Sequence, residues 1–492
     1  MPEHSGAEHF DVVIVGAGLS GIGAAYHLKT RLPGKTYAIL EGRHAIGGTW
    51  DLFRYPGIRS DSDMYTLGYA FKPWPSAKAI ADGPSIRSYV RETAAENGID
   101  KHIRFGHHVV AADWSGKDAR WTVTTEKTAA DGKPTGERAS FTCSFIMMCS
   151  GYYRYEQGYT PDFPGRETFK GKLIHPQHWP EDLDHAGKDV VVIGSGATAV
   201  TIVPEMAKTA RHVTMLQRSP SYVVARPSED AIANWLKSFL PAKMAYNLIR
   251  WKNVSLGQYF YARARKKPEA MRAVIAKAAQ KQLGPDYPVS THFNPKYNPW
   301  DQRMCLIPDA DLFNEIKAGH AEVVTDTIDR FTPGGIKLNS GKELKADIIV
   351  TATGLDLLFL GGTKVSVDGK EVEFGKTTTY KGMMYSGVPN LVSIFGYTNA
   401  SWTLKCDLTC EYTCRIIAKM DSTGAKGVTP TLKDGNIEHA PWLDFSSGYV
   451  QRTIDRFPKQ GTRMPWKLNQ NYRADVKLLR YGAVEDPELV FS

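Results

Sequence analysis

Two glycine triplets carry the spacing from which chemistry can be read. Gly16, Gly18 and Gly21 form GxGxxG between the apolar run Val12 to Val15 and the helix-spaced stretch LSGIGAAYHLKTRL. In such a loop the first glycine permits a tight turn, the second lets backbone approach a pyrophosphate, and the third lets helix pack on sheet; the helix N-terminus adds N–H donors and a positive dipole end. Spacing alone is a weak signal. It is strengthened by Glu41, 25 residues after Gly16 at the end of the strand TYAIL, where a carboxylate can accept from ribose hydroxyls. The second triplet, Gly194, Gly196 and Ala199, has the form GxGxxA, and the strand after it ends in QRSP with Arg218 instead of an acid. An acid there would repel a 2′-phosphate, whereas a guanidinium clasps one in bidentate fashion. One strand ending in Glu and one in Arg point to FAD in the first unit and NADPH in the second.

Each loop needs a βαβ unit to hold it. FDVVIVGAG, LSGIGAAYHLKTRL and TYAIL supply one; Lys188 to Ile193, TAVTIVPEMAKTA and HVTMLQRSP supply another. The expected fold is therefore α/β, with two Rossmann-like dinucleotide-binding domains and a helical insertion. HHVVAADWSG, ARWTVTTE and ASFTCSFIMMCSG alternate as a small antiparallel excursion that returns to the parent sheet, and YTPDFPG reads as a linker. GIKLNSGKELKADIIVTATG gives a hairpin turn at Asn339 to Gly341 and then a buried strand; PNLVSIFGYTN is a late strand. The expected division is an FAD-binding domain over 1–150 and 389–492, an NADPH-binding domain over 151–225 and 303–388, and a mainly helical insertion over 226–302.

The bulk composition sets limits. At 492 residues, 42% hydrophobic and 23% charged, the chain is expected to form a soluble protein of two or three domains. No apolar run is long enough to cross a bilayer, and MPEHSGAEHF lacks the apolar core of a secretory signal, so the expected location is the cytoplasm. The cysteines begin at Cys143, which excludes a disulfide reductase: that class needs a redox pair after the first acid, where this chain has GGTWDLFRYPG with Trp50. Cys406, Cys410 and Cys414 fall at i, i+4 and i+8 and suit buried reduced thiols on one helix face. The net charge of +9 is concentrated between Arg250 and Lys281, where nine bases face the single acid Glu269. Trp251, Tyr259, Phe260 and Tyr261 are interleaved with them. Two readings stand: a solvated helical face, or a peripheral contact with a membrane surface or acidic partner. No motif supports nucleic-acid binding, and nothing fixes the oligomeric state.

FKGKLIHPQHWP, at the entrance to the second unit, matches FxGxxxHxxxWP through Phe169, Gly171, His175, Trp179 and Pro180. A second pattern is matched by Gly47, Gly48, Trp50, Tyr55, Pro56, Gly57 and Asp61. On these motifs the chain resembles the Baeyer–Villiger monooxygenases. YPGIRSDSDMYTLGY, YNPWDQR, GYTNASWTLK and WKLNQNY extend the resemblance over most of the chain, toward the ethionamide-activating bacterial branch. The resemblance implies that NADPH reduces FAD, that oxygen adds to give a C4a-peroxyflavin, and that ketones become esters or lactones, with sulfides or thiocarbonyls as further substrates. It assigns the catalytic role to Arg303, with Asp61 as the carboxylate that positions it, and places Gly48, Trp50, Tyr65 and Gln302 among the cofactor-binding residues. Gln302 departs from the family, where Lys or Arg helps to hold the 2′-phosphate, and this moves the NADPH preference onto Arg218. His175 is assigned to an interdomain hinge instead of proton transfer. Trp402, Trp466, Tyr397 and Asn399 are candidates for the substrate side or for core packing. A simpler flavin N- or S-monooxygenase and an NADPH-oxidising, peroxide-forming flavoprotein remain as alternatives.

Overall fold

The computed structural model describes residues 7–492 except 434, 436 and 444. Its first sheet starts with β1 (Glu8–Val15), which is joined through α1 (Leu19–Arg31) to β2 (Tyr37–Glu41). β1 pairs in parallel with β2, Val12 opposite Tyr37, and on its other side with β6 (Pro134–Met148), Val12 opposite Phe145. Every residue of β2 is buried, as a strand covered on both faces requires. β3 (Ile103–Phe105) adds to the β2 edge, while β4 (His107–Ser115), β5 (Arg120–Thr128) and β6 form the antiparallel excursion. The helix Trp402–Thr423 carries Cys406, Cys410 and Cys414 on buried positions, and all six cysteines are free and buried.

The second sheet is wholly parallel and has the order β12 (Ala321–Thr325), β9 (His212–Gln217), β8 (Asp189–Ile193), β16 (Ile348–Thr351), β7 (Lys172–Ile174). The helix Ala197–Ala207 follows the glycine loop after β8. β13 (Ile328–Thr332), β14 (Gly335–Leu338) and β15 (Glu343–Lys345) form a small antiparallel sheet, with the expected hairpin turn between the last two. β10 (Val223–Arg226) lies beside β11 (Cys305–Pro308), Val223 opposite Cys305. The chain therefore leaves and re-enters the second unit at one place. Three long helices, Ala231–Phe239, Ala242–Lys266 and Pro268–Leu283, and a short one, Val289–His292, lie in the excursion.

Three expectations differ from this architecture. The chain returns to the first sheet well before residue 389: β17 (Lys364–Val367) pairs in parallel with β4, and β18 (Lys370–Glu371) closes that edge. Val365 is buried there with Ala112 and Trp114, and this contact draws the segment out of the second unit. The stretch FKGKLIHPQHWP, whose His175 is expected at an interdomain hinge, is built into the edge of the second sheet, because Lys172–Ile174 forms β7 against β16. Finally, Arg250 does not belong to a solvated basic face. It is buried, donates to the Tyr65 and Gly68 carbonyls at 2.8 Å each, and lies 3.6 Å from Asp407.

Candidate functional site

Both loops are shaped by what their glycines lack. Gly16 takes φ +103°, and a Cβ there would lie 2.7 Å from the Cys149 carbonyl oxygen at the end of β6. A Cβ on Gly21 would come within 1.8 Å of the Gly16 carbonyl oxygen, so α1 rests directly on its own loop. Gly194 repeats the arrangement with φ +139° and a distance of 2.3 Å to the Ala352 carbonyl oxygen after β16. Ala199 is fully buried beneath the second helix. Gly18 and Gly196 are the N-cap residues of the two helices, and neither cap offers a side-chain hydrogen bond. The first N–H groups of both helices thus depend on a ligand or water, the condition under which a helix start binds phosphate.

The strand ends differ as expected. Glu41 is buried; one carboxylate oxygen accepts from the Ala17 N–H at 2.6 Å and the other from the Arg43 N–H at 2.8 Å. Burial raises its pKa, and these two N–H donors oppose the rise. Each oxygen keeps a second lone pair for a ribose hydroxyl. Arg218 is exposed and has no hydrogen-bond or ion-pair partner among the described residues. Its guanidinium is free for an anion.

A single cleft of ≈ 1590 Å³ runs between the units and is lined by Gly16, Gly18 and Glu41 from one side and Gly194, Gly196 and Arg218 from the other. Gly48 and Trp50 line it as well; Gly48, at φ +56°, faces Gly18 so closely that a Cβ would sit 3.1 Å from the Gly18 Cα. A cleft this large exceeds the few hundred to about 1,000 Å³ that one small ligand takes, and suits two dinucleotides. Asp61, Gln302 and Arg303 line the space where the two sides meet. Arg303 Nη1 is 3.5 Å from Asp61 Oδ2, and both side chains keep an accessible side toward the cleft. Burial raises the Asp61 carboxyl above its ordinary value, while Arg303 and Arg59 pull it down. Arg59, which the sequence reading missed, lines the cleft two residues before Asp61 and pairs with Asp311 at 2.6 Å.

Beside Arg303 lies a small aromatic chamber formed by Tyr152, Phe395, Tyr397, Trp402 and Tyr449. The Tyr152 and Trp402 rings stack at 5.2 Å, and Trp402 Nε1 donates to Ser20 Oγ at 2.8 Å, which ties the chamber to α1. Trp402 and Tyr397 line both this chamber and the cleft. Trp466 is fully buried against Tyr380, and Asn399 donates to the Gln470 carbonyl, so those two are packing residues. Tyr152 and Tyr449 were missed, although Tyr152 has a positional signal: it follows the carboxyl end of β6, where ligands gather in open parallel sheets.

Tyr65 requires a correction. Its side chain is fully buried in the core against Tyr246 and does not line the cleft, because its short helix Met64–Leu67 turns that position inward. The five fingerprint residues also stay off the cleft. Phe169 meets Phe331 edge-on at 6.3 Å, and a Cβ on Gly171 would strike the Asp347 carbonyl oxygen at 2.3 Å. Trp179 packs on the core of the second unit, and Pro180 is exposed. His175 Nε2 bonds the Gly354 carbonyl at 3.2 Å, while its Nδ1 accepts from the Gln177 N–H. Gly354 itself lines the cleft, so His175 fixes a cleft loop from behind.

A model of flavin-binding monooxygenase-like proteins matches residues 79–264, and one of NAD(P)-binding Rossmann-like domains matches residues 14–82. The chain is 55% identical over 486 residues to the FAD-containing monooxygenase EthA of Mycobacterium tuberculosis, covering 99% of this chain and 98% of that one. Among solved structures it is similar to a steroid monooxygenase bound to NADP, with TM-score 0.75, 21% identity and coverage of 98% of this chain and 99% of that one. It is also similar to an ε-caprolactone-bound cyclohexanone monooxygenase, with TM-score 0.76, 21% identity and coverage of 99% and 100%. These two structural likenesses concern the fold.

Proposed function

The chain belongs to the FAD-containing monooxygenases, and from that premise we propose a Baeyer–Villiger-type enzyme that uses NADPH and oxygen to convert ketones to esters or lactones and also oxidises sulfides or thiocarbonyls. We assign FAD to the first glycine loop and NADPH to the second. The residues fit these groups: the Gly16 loop leaves the N-terminus of α1 uncapped beside Glu41, and the Gly194 loop does the same beside an unpaired Arg218. When bound, FAD supplies acceptance of hydride from NADPH and transfer of one atom of oxygen to the substrate.

The observation that carries this reading is the place of Arg303. It stands where the two loop-bearing sides of the cleft meet, with the aromatic chamber next to it. A guanidinium is permanently charged and needs no reorganisation to hold negative charge that develops on a substrate oxygen. Asp61 orients it through the 3.5 Å pair without burying it. Tyr152, Tyr397, Trp402 and Tyr449 line the cleft beside that charge and give the substrate an aromatic, water-poor seat. Gln302, which carries no charge, leaves recognition of the 2′-phosphate to Arg218.

The test supplies purified, flavin-loaded protein with NADPH, labelled oxygen and a panel of ketones and sulfides. Labelled ester or lactone is the expected product. If hydrogen peroxide accounts for all the NADPH consumed, the monooxygenase reading fails in favour of an oxidase. If sulfoxides form, no ketone yields an ester, and Arg303→Ala leaves sulfide oxidation intact, the protein is an N- or S-oxygenase that does not need Arg303.

A further inference from the structure

We propose that the helical excursion is a docking surface for an anionic lipid membrane. Its long helices are here α2 (Ala231–Phe239), α3 (Ala242–Lys266) and α4 (Pro268–Leu283). In α2 the large apolar residues fall at i, i+3 and i+7, and they face outward: Ile232 is 55% exposed, Trp235 63% and Phe239 56%, while Ala233 alone of the helix is buried. A helix that packs on a protein core turns such a stripe inward. A second stripe runs along α3 through Met244, Leu248, Trp251 and Tyr259, all exposed at spacings that keep them on one side of the helix. Trp251 is 67% exposed although its neighbour Arg250 is locked into the core by the Tyr65 and Gly68 carbonyls. The outward face of α3 is therefore fixed by the inward one.

The charge around this stripe selects its partner. Arg263 and Lys266 extend it by further steps of four and three residues, and Lys267 lies beside them; all three are exposed and have no ion-pair partner among the described residues. Lys252 and Arg265, by contrast, are paired with Asp230 at 2.5 Å and Asp301 at 2.7 Å. From Ala231 to Pro268 the chain contains no Asp or Glu. A second copy meeting this face through the same residues would bring no countercharge for those cations. A membrane rich in anionic headgroups does, and it takes the Trp and Phe rings at the headgroup boundary, as in-plane amphipathic helices do. No helix among the described residues is long and apolar enough to cross a membrane, so the contact lies in the plane of the surface. The other side of α3 places Val254 against Tyr397, a cleft residue, so the helix that meets lipid also backs the cleft.

Flotation of the flavin-loaded full chain with vesicles tests this. Vesicles of phosphatidylcholine mixed with phosphatidylglycerol should carry the protein upward at low salt and release it at high salt, while phosphatidylcholine alone should carry little. The triple change Arg263→Glu, Lys266→Glu, Lys267→Glu should weaken the partitioning by roughly a hundredfold or more. Trp235→Ser with Trp251→Ser should abolish it. Both variants should keep flavin content and lipid-free NADPH oxidation, which shows that they are folded. No flotation of the native protein with the anionic vesicles, or equal flotation of the variants, overturns the proposal. So does a concentration-dependent dimer in sedimentation that the tryptophan changes abolish while lipid binding persists, because the stripe would then be a self-interface.

Discussion

At the first loop Gly16 turns at φ +103° against the Cys149 carbonyl; at the second, Gly194 turns at +139° against the Ala352 carbonyl. Both glycines meet the end of the neighbouring parallel strand, and both loops leave a helix start uncapped. The surroundings then diverge. The first loop is closed over by Gly48, and its acid Glu41 is buried with both oxygens already accepting backbone N–H groups. Around Gly196 a Cβ would meet nothing within 4 Å, and Arg218 is exposed and unpaired. One backbone solution thus serves two tasks: the enclosed loop suits a resident group, and the open one suits a group that enters and leaves.

The largest effects should come from breaking the loops one at a time. Gly16→Val puts a branched side chain at a left-handed φ, which costs roughly 1–3 kcal/mol, and drives it into a carbonyl oxygen. The expected product is protein without flavin, read from the ratio of flavin to protein absorbance. Gly194→Val meets a similar obstacle, but the expected product is yellow protein that NADPH no longer reduces. Loss of flavin from both variants would show that the two loops do not hold separate cofactors.

Arg303 stands between the loops, and Arg303→Ala should lower ester formation by about a hundredfold or more, the scale on which a single preorganised donor acts. Flavin reduction by NADPH should change far less, because Arg303 is assigned to the oxygen-transfer half of the cycle. Stopped-flow comparison of the two half-reactions separates these outcomes. Arg218→Ala should follow in size. A charge-assisted hydrogen bond of about 1.5–3 kcal/mol corresponds to roughly a ten- to hundredfold rise in the NADPH KM, with NADH unchanged. An equal rise for both nucleotides would remove its phosphate role.

The loops were legible in the sequence because each of their residues answers a local demand: a left-handed turn, a close carbonyl, a charge at a strand end. What escaped depended on distant contacts. Tyr65 lies in a short helix, and nothing in its sequence tells which side faces the cleft; contact with Tyr246, far along the chain, decides it. Arg250 was counted with the basic face because charge density cannot show that carbonyls 182 to 185 residues away receive its guanidinium. The early return of Lys364–Val367 to the first sheet is likewise a pairing with β4, more than 250 residues earlier. The aromatic chamber gathers Tyr152 and Tyr449, which stand 297 residues apart in the chain, and has no local pattern.

The smallest effect concerns the strap behind the cleft loop at Gly354. Burial lowers the pKa of His175, and the hydrogen bond to the Gly354 carbonyl opposes that only in part. In the neutral ring Nε2 donates to Gly354 while Nδ1 accepts from the Gln177 N–H; a proton on Nδ1 would set two donors against each other. The unfolded chain therefore takes up this proton before the folded one does. His175 should contribute stability that is present above the ordinary histidine pKa of about 6.5 and is lost as pH falls through that value toward the lower folded pKa. Melting temperatures of the native protein and of His175→Gln, followed downward from neutral pH, should show the native protein losing its advantage across this interval. Parallel curves would mean that His175 keeps its proton balance on folding. The tie from β7 to the cleft loop would then rest on the Gln177 side chain, which donates to the Arg154 and Tyr155 carbonyls.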